Sequence, residues 1–362
     1  MTLLRYQLAR LASGIELSYI DSWSSLAPSE RPTTCTTLVG VHGVGFNSAV
    51  WTPLLPSLPP SIRFIAYNQR SYTGSSPALQ AEVEGGVDVT AAYLEDLIGF
   101  LEFLVREEGV KGKNEGGGIA LLGWSKGTVL PLSLLSYLST TSSSSSAQQS
   151  TTSFLSHLAS TLPALTALVN SHLTSLLLFE PPGSALGRAP TADNTTAMSS
   201  VSPPNSSTPA QFAEAFAGWI GQYSPPSTSS SSEPAVADLP PSGLAALSSD
   251  VLEASWQPEA VAHGFSWRLA GSATEVANLT RSALATAQLP VGLIYGGQTV
   301  RYCLEAAAEI ERIWKEEKRE GAKKTAVRRI EGTNHFGFVH KPREFVQAVV
   351  ELIEKLGGKL DM

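Results

Sequence analysis

The sequence predicts a doubly wound, mostly parallel α/β sheet interrupted by one helical insertion. Three features carry that expectation. Short apolar, β-branched runs recur along the 362 residues, and they are near-continuous rather than alternating, as strands covered on both faces must be. Amphipathic helical stripes fall between them. A long stretch with several helix starts and no strand signal separates the fourth parallel run from the fifth.

Taken in order, residues 6–9 and 15–20 flank Gly14 and predict an antiparallel hairpin at the sheet edge. Runs at 37–42, 62–67, 119–123, 176–179, 291–295 and 326–330 predict six buried parallel strands. Between the second and third runs, residues 89–105 place Leu94, Leu97, Ile98, Leu101 and Leu104 on one stripe. A second helix is expected over 128–138. The C-terminal helix aligns Phe345, Val346, Val349, Ile353 and Leu356, with Pro342 as its start and Gly357 as its stop. The serine-rich segments 140–150 and 227–232 have the composition of solvated loops. In residues 181–289, Thr208-Pro209-Ala210-Gln211 is a capping box with proline at N1, and Ser272-Ala273-Thr274-Glu275 is a second capping box. An insertion at the carboxyl end of a sheet strand sits where open α/β folds bind ligands. The expected organisation is a core of 1–180 and 290–362 and a helical cap of 181–289.

Composition narrows the function. The chain is 43% hydrophobic and holds 12 Phe, 9 Tyr and 7 Trp, so it can bury a sizeable core. Against 32 acidic side chains there are 25 Lys and Arg, a net charge of −7. No basic face tracks a phosphate backbone, and nucleic acid is not an expected partner. Cys35 and Cys303 are too few for a disulfide framework or a structural zinc site. The first residues lack the apolar run of a signal peptide, and no stretch reaches the roughly 18 apolar residues of a membrane span. A soluble, cytoplasmic enzyme or ligand binder with no membrane partner is expected.

Three motifs carry chemistry. Gly123-Trp124-Ser125-Lys126-Gly127 lies at a strand-to-helix turn, the context in which G-x-S-x-G lifts a serine above the sheet. Its bland alternative is a glycine-rich turn with a helix-capping serine. Val41-His42-Gly43-Val44-Gly45-Phe46 ends an earlier strand and can aim a backbone amide at that serine. The amides of Val44 and Lys126 are the candidate oxyanion donors, and His42 is expected to brace the loop. Asn334-His335-Phe336 follows the last strand and places a histidine within reach of the sheet centre. His340 is its one serious competitor, since His157 and His172 fall on helices and His263 in the insertion.

Together these motifs resemble the α/β-hydrolase superfamily. Residues 68–76, Asn68-Gln69-Arg70-Ser71-Tyr72-Thr73-Gly74-Ser75-Ser76, are similar to the family's D-x-R-G-x-G-x-S segment, with Asn68 in place of the acid and Ser71 in place of a glycine. The resemblance covers 1–180 and 290–362 and implies a nucleophile, a base and an acid. Ser125 at the nucleophile position argues against the epoxide hydrolases and dehalogenases that use Asp. The family's usual acid, just after the fifth parallel strand, is missing: the turn reads Gly296-Gly297-Gln298-Thr299, and the next carboxylate, Glu305, falls inside a helix. A subset of the family, including fungal lactonases that open mycotoxin rings, places the acid one strand earlier. Here Glu180 stands at that position. A carboxylate there is costly to bury without a partner, and His335 could be that partner; the alternative is that Glu180 only anchors the cap.

The resulting expectation is a serine hydrolase with Ser125 as nucleophile, His335 as base and Glu180 as acid, needing no metal or organic cofactor. Its substrate is a moderately sized apolar ester or lactone. Phe212, Phe216, Trp219 and Trp256 are the aromatics expected to line its pocket. Lys126 is expected to point to solvent rather than to bind an anion, and Arg70 to brace its loop. The rival readings are acyl transfer or cofactor-free lyase chemistry on the same triad, and a non-catalytic receptor on a degenerate hydrolase fold.

Overall fold

The computed structural model describes residues 5–78, 90–142, 162–188, 208–224, 235–241, 245, 247–261, 273–358 and 360. Its strands are β1 (Gln7–Arg10), β2 (Glu16–Asp21), β3 (Thr36–Val41), β4 (Ile62–Tyr67), β5 (Ile119–Trp124), β6 (Leu173–Phe179), β7 (Val291–Gly296) and β8 (Thr325–Ile330). They form one sheet in the order β1-β2-β4-β3-β5-β6-β7-β8. The first two make the expected hairpin, β2 joins β4 antiparallel, and every other pairing is parallel. From β3 the chain crosses one way to β4 and then returns to the other side for β5. That reversal makes the carboxyl end of β3 and β5 the switch point where such sheets bind ligands.

The helices are α1 (Thr90–Arg106), α2 (Val129–Ser142), α3 (Leu162–Ser171), α4 (Pro209–Ile220), α5 (Ser249–Ser255), α6 (Ala273–Thr286), α7 (Arg301–Glu316), α8 (Gly337–His340) and α9 (Pro342–Leu356). Alternate residues of β5 show why its apolar run is unbroken. Ile119 and Leu121 bury into the layer that holds α1 and α2. Ala120, Leu122 and Trp124 bury into the layer under α9. Each large apolar side chain so buried contributes roughly 1.5–3 kcal/mol. The C-terminal helix starts and stops as its sequence predicts. Proline occupies its first turn, and Gly357, left-handed at φ 99°, returns its N–H to the carbonyls of Ile353 and Glu354.

Some boundaries differ from expectation. Strand β6 begins at Leu173 rather than 176, because Thr174 and Ser175 interrupt the apolar run without leaving the sheet; Thr174 Oγ1 donates to the Ile119 carbonyl at 3.0 Å. Residues 125–128 form a 3₁₀ turn, so α2 starts one residue later than expected and continues to Ser142. The remainder of the 140–150 loop, the 227–232 segment, Ser272 of the second capping box, His157 and His263 lie outside the described residues. Helix α4 has the predicted cap, with Thr208 accepting from the Gln211 amide. Helix α6 buries Ala283 and Leu284 in the same layer as α2. The 181–289 segment therefore ends on a helix that covers the sheet. Among the described residues, no helix is long and apolar enough to cross a membrane.

Candidate active site

Ser125 leaves β5 directly and is half-buried, with a left-handed backbone at φ 54°. That conformation costs an L-residue roughly 1–2 kcal/mol, and it is held by the close approach of the backbone on either side. A Cβ at Gly127 would meet the Val41 carbonyl oxygen at 2.5 Å, and one at Gly123 would meet the Gly127 carbonyl oxygen at 2.7 Å. Only glycine lets the turn fold this tightly.

Glu180 leaves the neighbouring strand in the same way. Register pairs Trp124 with Phe179, so Ser125 and Glu180 emerge abreast, and Glu180 is also left-handed at φ 54°. Its side chain is fully buried. Oε1 accepts from the Gly296 amide at 2.6 Å and Oε2 from Thr299 Oγ1 at 2.5 Å. Oε2 also lies 3.1 Å from His335 Nδ1. The turn after β7, which lacks the family's usual acid, thus supplies two donors to a carboxylate from the adjacent strand. Charge-assisted bonds of this kind offset the cost of burying the group. The rival carboxylates are elsewhere: Glu305 pairs with Arg301 at 3.2 Å, Asp250 is exposed, and Asp193 is outside the described residues.

His335 is buried and held from three sides. Trp124 Nε1 donates to its carbonyl at 3.0 Å, and the two rings are 5.4 Å apart. Its neighbour Asn334 donates from Nδ2 to the Gly221 carbonyl at the end of α4 and accepts from the Phe336 amide. The Cys303 sulfur lies 3.7 Å from Nδ1. Ser125 and His335 are not hydrogen-bonded to each other; such pairs frequently tighten only when substrate binds. The competitor His340 packs instead against Tyr223, with ring centroids 5.8 Å apart, and burial pushes its pKa down to about 4.

The loop after β3 lies against the serine: a Cβ at Gly43 would be 3.0 Å from Ser125 Cβ. His42 braces it, as expected, in its neutral form. Nδ1 donates to the Gly43 carbonyl at 2.8 Å, and Nε2 accepts the Gln69 amide at 3.0 Å. Burial pushes this imidazole down to about 4. Because the unfolded chain binds a proton near 6.5 and the folded one does not, stability rises with pH through that window and is lost on acidification. The His42 contribution is on the order of 3 kcal/mol, with His340 acting in the same direction. Thermal unfolding at pH 7.5 and pH 5 should show a smaller fall in Tm for His42→Asn than for the natural chain; an identical fall would remove His42 from the account. Farther along the same edge, Arg70 pairs with Asp96 at 2.5 Å and braces its loop. Ser71, standing where the family has glycine, is left-handed at φ 70°.

The aromatics fall into two groups. Phe212, Phe216 and Trp256 are half-buried and gather around Val44 with Ala213 and Val261. Trp219 is buried in the same layer as Trp124 and Phe336. Helix α5 is tied to the β3 loop by backbone. Asn47 N donates to Ser255 O at 2.9 Å, and Gln257 N donates to Gly45 O at 2.7 Å. Phe46 and Trp256 form an antiparallel bridge between these two bonds.

The sequence profile described as "Alpha/beta hydrolase family" matches residues 38–348, which contain every one of these groups. The chain belongs to the alpha/beta hydrolase family. Hydrolase chemistry is the coarse class this membership supports. Solved structures of the family are similar throughout their length at low identity. A bromoperoxidase from Bacillus anthracis is 15% identical with a TM-score of 0.56, covering 97% of this chain and 100% of its own. The esterase RhEst1 from Rhodococcus sp. ECU1013 is 18% identical with a TM-score of 0.54, covering 97% and 99%. A malate-bound thermophilic esterase from Thermogutta terrifontis is 17% identical with a TM-score of 0.53, covering 97% and 99%. At these identities the likeness is one of fold. No curated protein matches the chain in sequence.

Sequence reasoning missed four contributors to this alpha/beta hydrolase site: Gly296, Thr299, Cys303 and the Trp124 indole. The one available signal was the hydroxyl of Thr299 in a turn that had lost its carboxylate.

Proposed function

We propose that the chain is a serine hydrolase that cleaves a carboxylic ester or lactone of a moderately sized apolar substrate through an acyl-enzyme. The observation that carries this reading is the 3.1 Å contact between His335 Nδ1 and a buried Glu180 oxygen, on the strand next to a left-handed serine. Glu180 fixes the imidazole with its proton on Nδ1, leaving Nε2 as the base. Ser125 Oγ attacks the carbonyl carbon while Nε2 takes its proton, and Glu180 stabilises the imidazolium that forms. The amides of Val44 and Lys126 donate to the oxyanion. His335 then protonates the leaving alkoxide, and water deprotonated by the same nitrogen releases the acid. Phe212, Phe216 and Trp256 form the apolar wall beside the oxyanion loop, with Trp219 packed behind them. These steps use no metal or organic cofactor.

A fluorophosphonate probe tests the nucleophile. The natural chain should be labelled once and Ser125→Ala not at all; an unlabelled natural chain would favour the ligand-binding receptor instead.

Thr299 tests the support of the acid. Losing a hydrogen bond to a buried carboxylate costs roughly 1.5–3 kcal/mol. Thr299→Val should therefore lower kcat about 10–100-fold with little change in KM, and Thr299→Ser should restore most of it. An equal loss in the serine variant would mean that the methyl group, not the hydroxyl, matters.

A further inference from the structure

We propose that Glu180, Cys303 and His335 form a binding site for a soft divalent cation, zinc or cadmium, whose occupation switches the active site off. Cys303 lies in the first turn of α7 and is fully buried, on the Nδ1 side of the His335 ring. Its sulfur is 3.7 Å from Nδ1, and Glu180 Oε2 is 3.1 Å from the same atom. Potential ligand atoms of the three residues lie within 4.8 Å of one another.

Two of the three edges of the cluster suit a tetrahedral ion. Zinc bonds of about 2.0–2.1 Å to nitrogen and oxygen and about 2.3 Å to sulfur set edges of about 3.6 Å for N···S and about 3.3 Å for N···O. Both observed distances are within about 0.2 Å of those edges. Three protein ligands of mixed N, O and S character select zinc or cadmium over magnesium or calcium.

Charge favours the exchange as well. In the form the proposed triad requires, the cluster holds one carboxylate, a neutral imidazole and a thiol whose pKa burial and the nearby Glu180 push up. On binding, the thiol proton leaves to solvent, as a coordinating thiol is deprotonated outright. The imidazole proton moves from Nδ1 to Nε2, so that Nδ1 becomes the ligand. The sum of a dication, a thiolate and a carboxylate is zero, so the buried carboxylate becomes part of a neutral assembly. One proton is released per cation.

The consequence for catalysis rests on the proposed triad. With Nδ1 on the cation, His335 no longer donates to Glu180, and with a proton on Nε2 it cannot accept one from Ser125. Inhibition therefore comes from the face of the histidine opposite the substrate, and a chelator should reverse it.

The test uses the reduced full chain in a Cys35→Ala background, so that Cys303 is its one thiol. Cadmium titration should produce the ultraviolet thiolate-to-cadmium charge-transfer band with one equivalent bound. Cys303→Ala and Cys303→Ser should both lack it. Zinc should suppress ester hydrolysis, and each Cys303 variant, measured against its own uninhibited rate, should need at least about a hundredfold more. Loss of an outer-sphere partner alone costs about 10–100-fold in metal affinity. Absence of the band in the parent, or equal zinc sensitivity in a folded Cys303 variant, would overturn the site. The band is read without turnover, so a chain that binds cadmium but hydrolyses no ester would separate failure of the proposed function from failure of the metal site.

Discussion

Ser125→Ala is expected to lower ester turnover by about a millionfold while the protein keeps its melting temperature, because nucleophile loss in a comparable triad has that cost. The side chain is half-buried at the end of β5 rather than in the core, so no cavity opens. Alanine must still adopt the left-handed backbone, a strain the natural serine already bears. His335→Ala should be comparably severe. His340→Ala should be mild, since His340 meets Tyr223 and not the carboxylate. Steady-state kinetics on an activated ester check all three. Retention of a tenth of the activity in Ser125→Ala would remove it as nucleophile, and a severe His340→Ala beside a mild His335→Ala would reassign the base.

Glu180→Gln should cost at least about a hundredfold in kcat, with a smaller change in KM. The equivalent change in a serine protease costs about ten-thousandfold because the histidine is held in the wrong tautomer. Here the damage has a second source. The Gly296 amide donates to Oε1, whereas the Thr299 hydroxyl and His335 share Oε2, so an amide side chain with one oxygen must turn its NH2 toward one of these two sets of groups. Gln298→Ala should cost under about tenfold, since a neutral side chain cannot stabilise an imidazolium as a carboxylate does. Measured kcat values for the two variants decide the matter: a large effect of Gln298→Ala with a small one of Glu180→Gln would move the acid back to the turn after β7.

The central parallel strands were legible because burial on both faces leaves no polar phase in the pattern, and β5 and β7 read almost as they fold; β8, expected to be buried, is an edge strand and only half-buried, with Arg329 exposed. Strand β6 was read short because Thr174 and Ser175 carry hydroxyls into the sheet, Thr174 bonded to the Ile119 carbonyl and Ser175 buried, which a hydrophobicity pattern cannot register. The serine turn was legible from its glycines, and Glu180 was singled out by the resemblance to a subset of the family, with the cost of a carboxylate ending an apolar strand calling for a buried partner. What could not be read were contacts made through strand register. Thr299 and Glu180 are 119 residues apart in sequence, and nothing local marks a hydroxyl as the donor to a distant carboxylate. The packing of α6 against α2 was hidden for a similar reason: its alanines suit either a cap or a sheet cover, and only the observed neighbours choose between them.

The backbone seam between α5 and the β3 loop fixes one side of the site in place. Moving α5 away from Val44 would break the Asn47–Ser255 and Gln257–Gly45 hydrogen bonds together and open the Phe46–Trp256 bridge. The Asn47 side chain, which also holds the Ala254 carbonyl at 2.8 Å, would be released with them. In the proposed site a ligand would meet Trp256 as a standing jamb, continuous with the loop that carries Val44, one of the two proposed oxyanion donors. Under that proposal, selection against bulk at this side would be steric and immediate, written into the rest position of the chain rather than into the timing of any door.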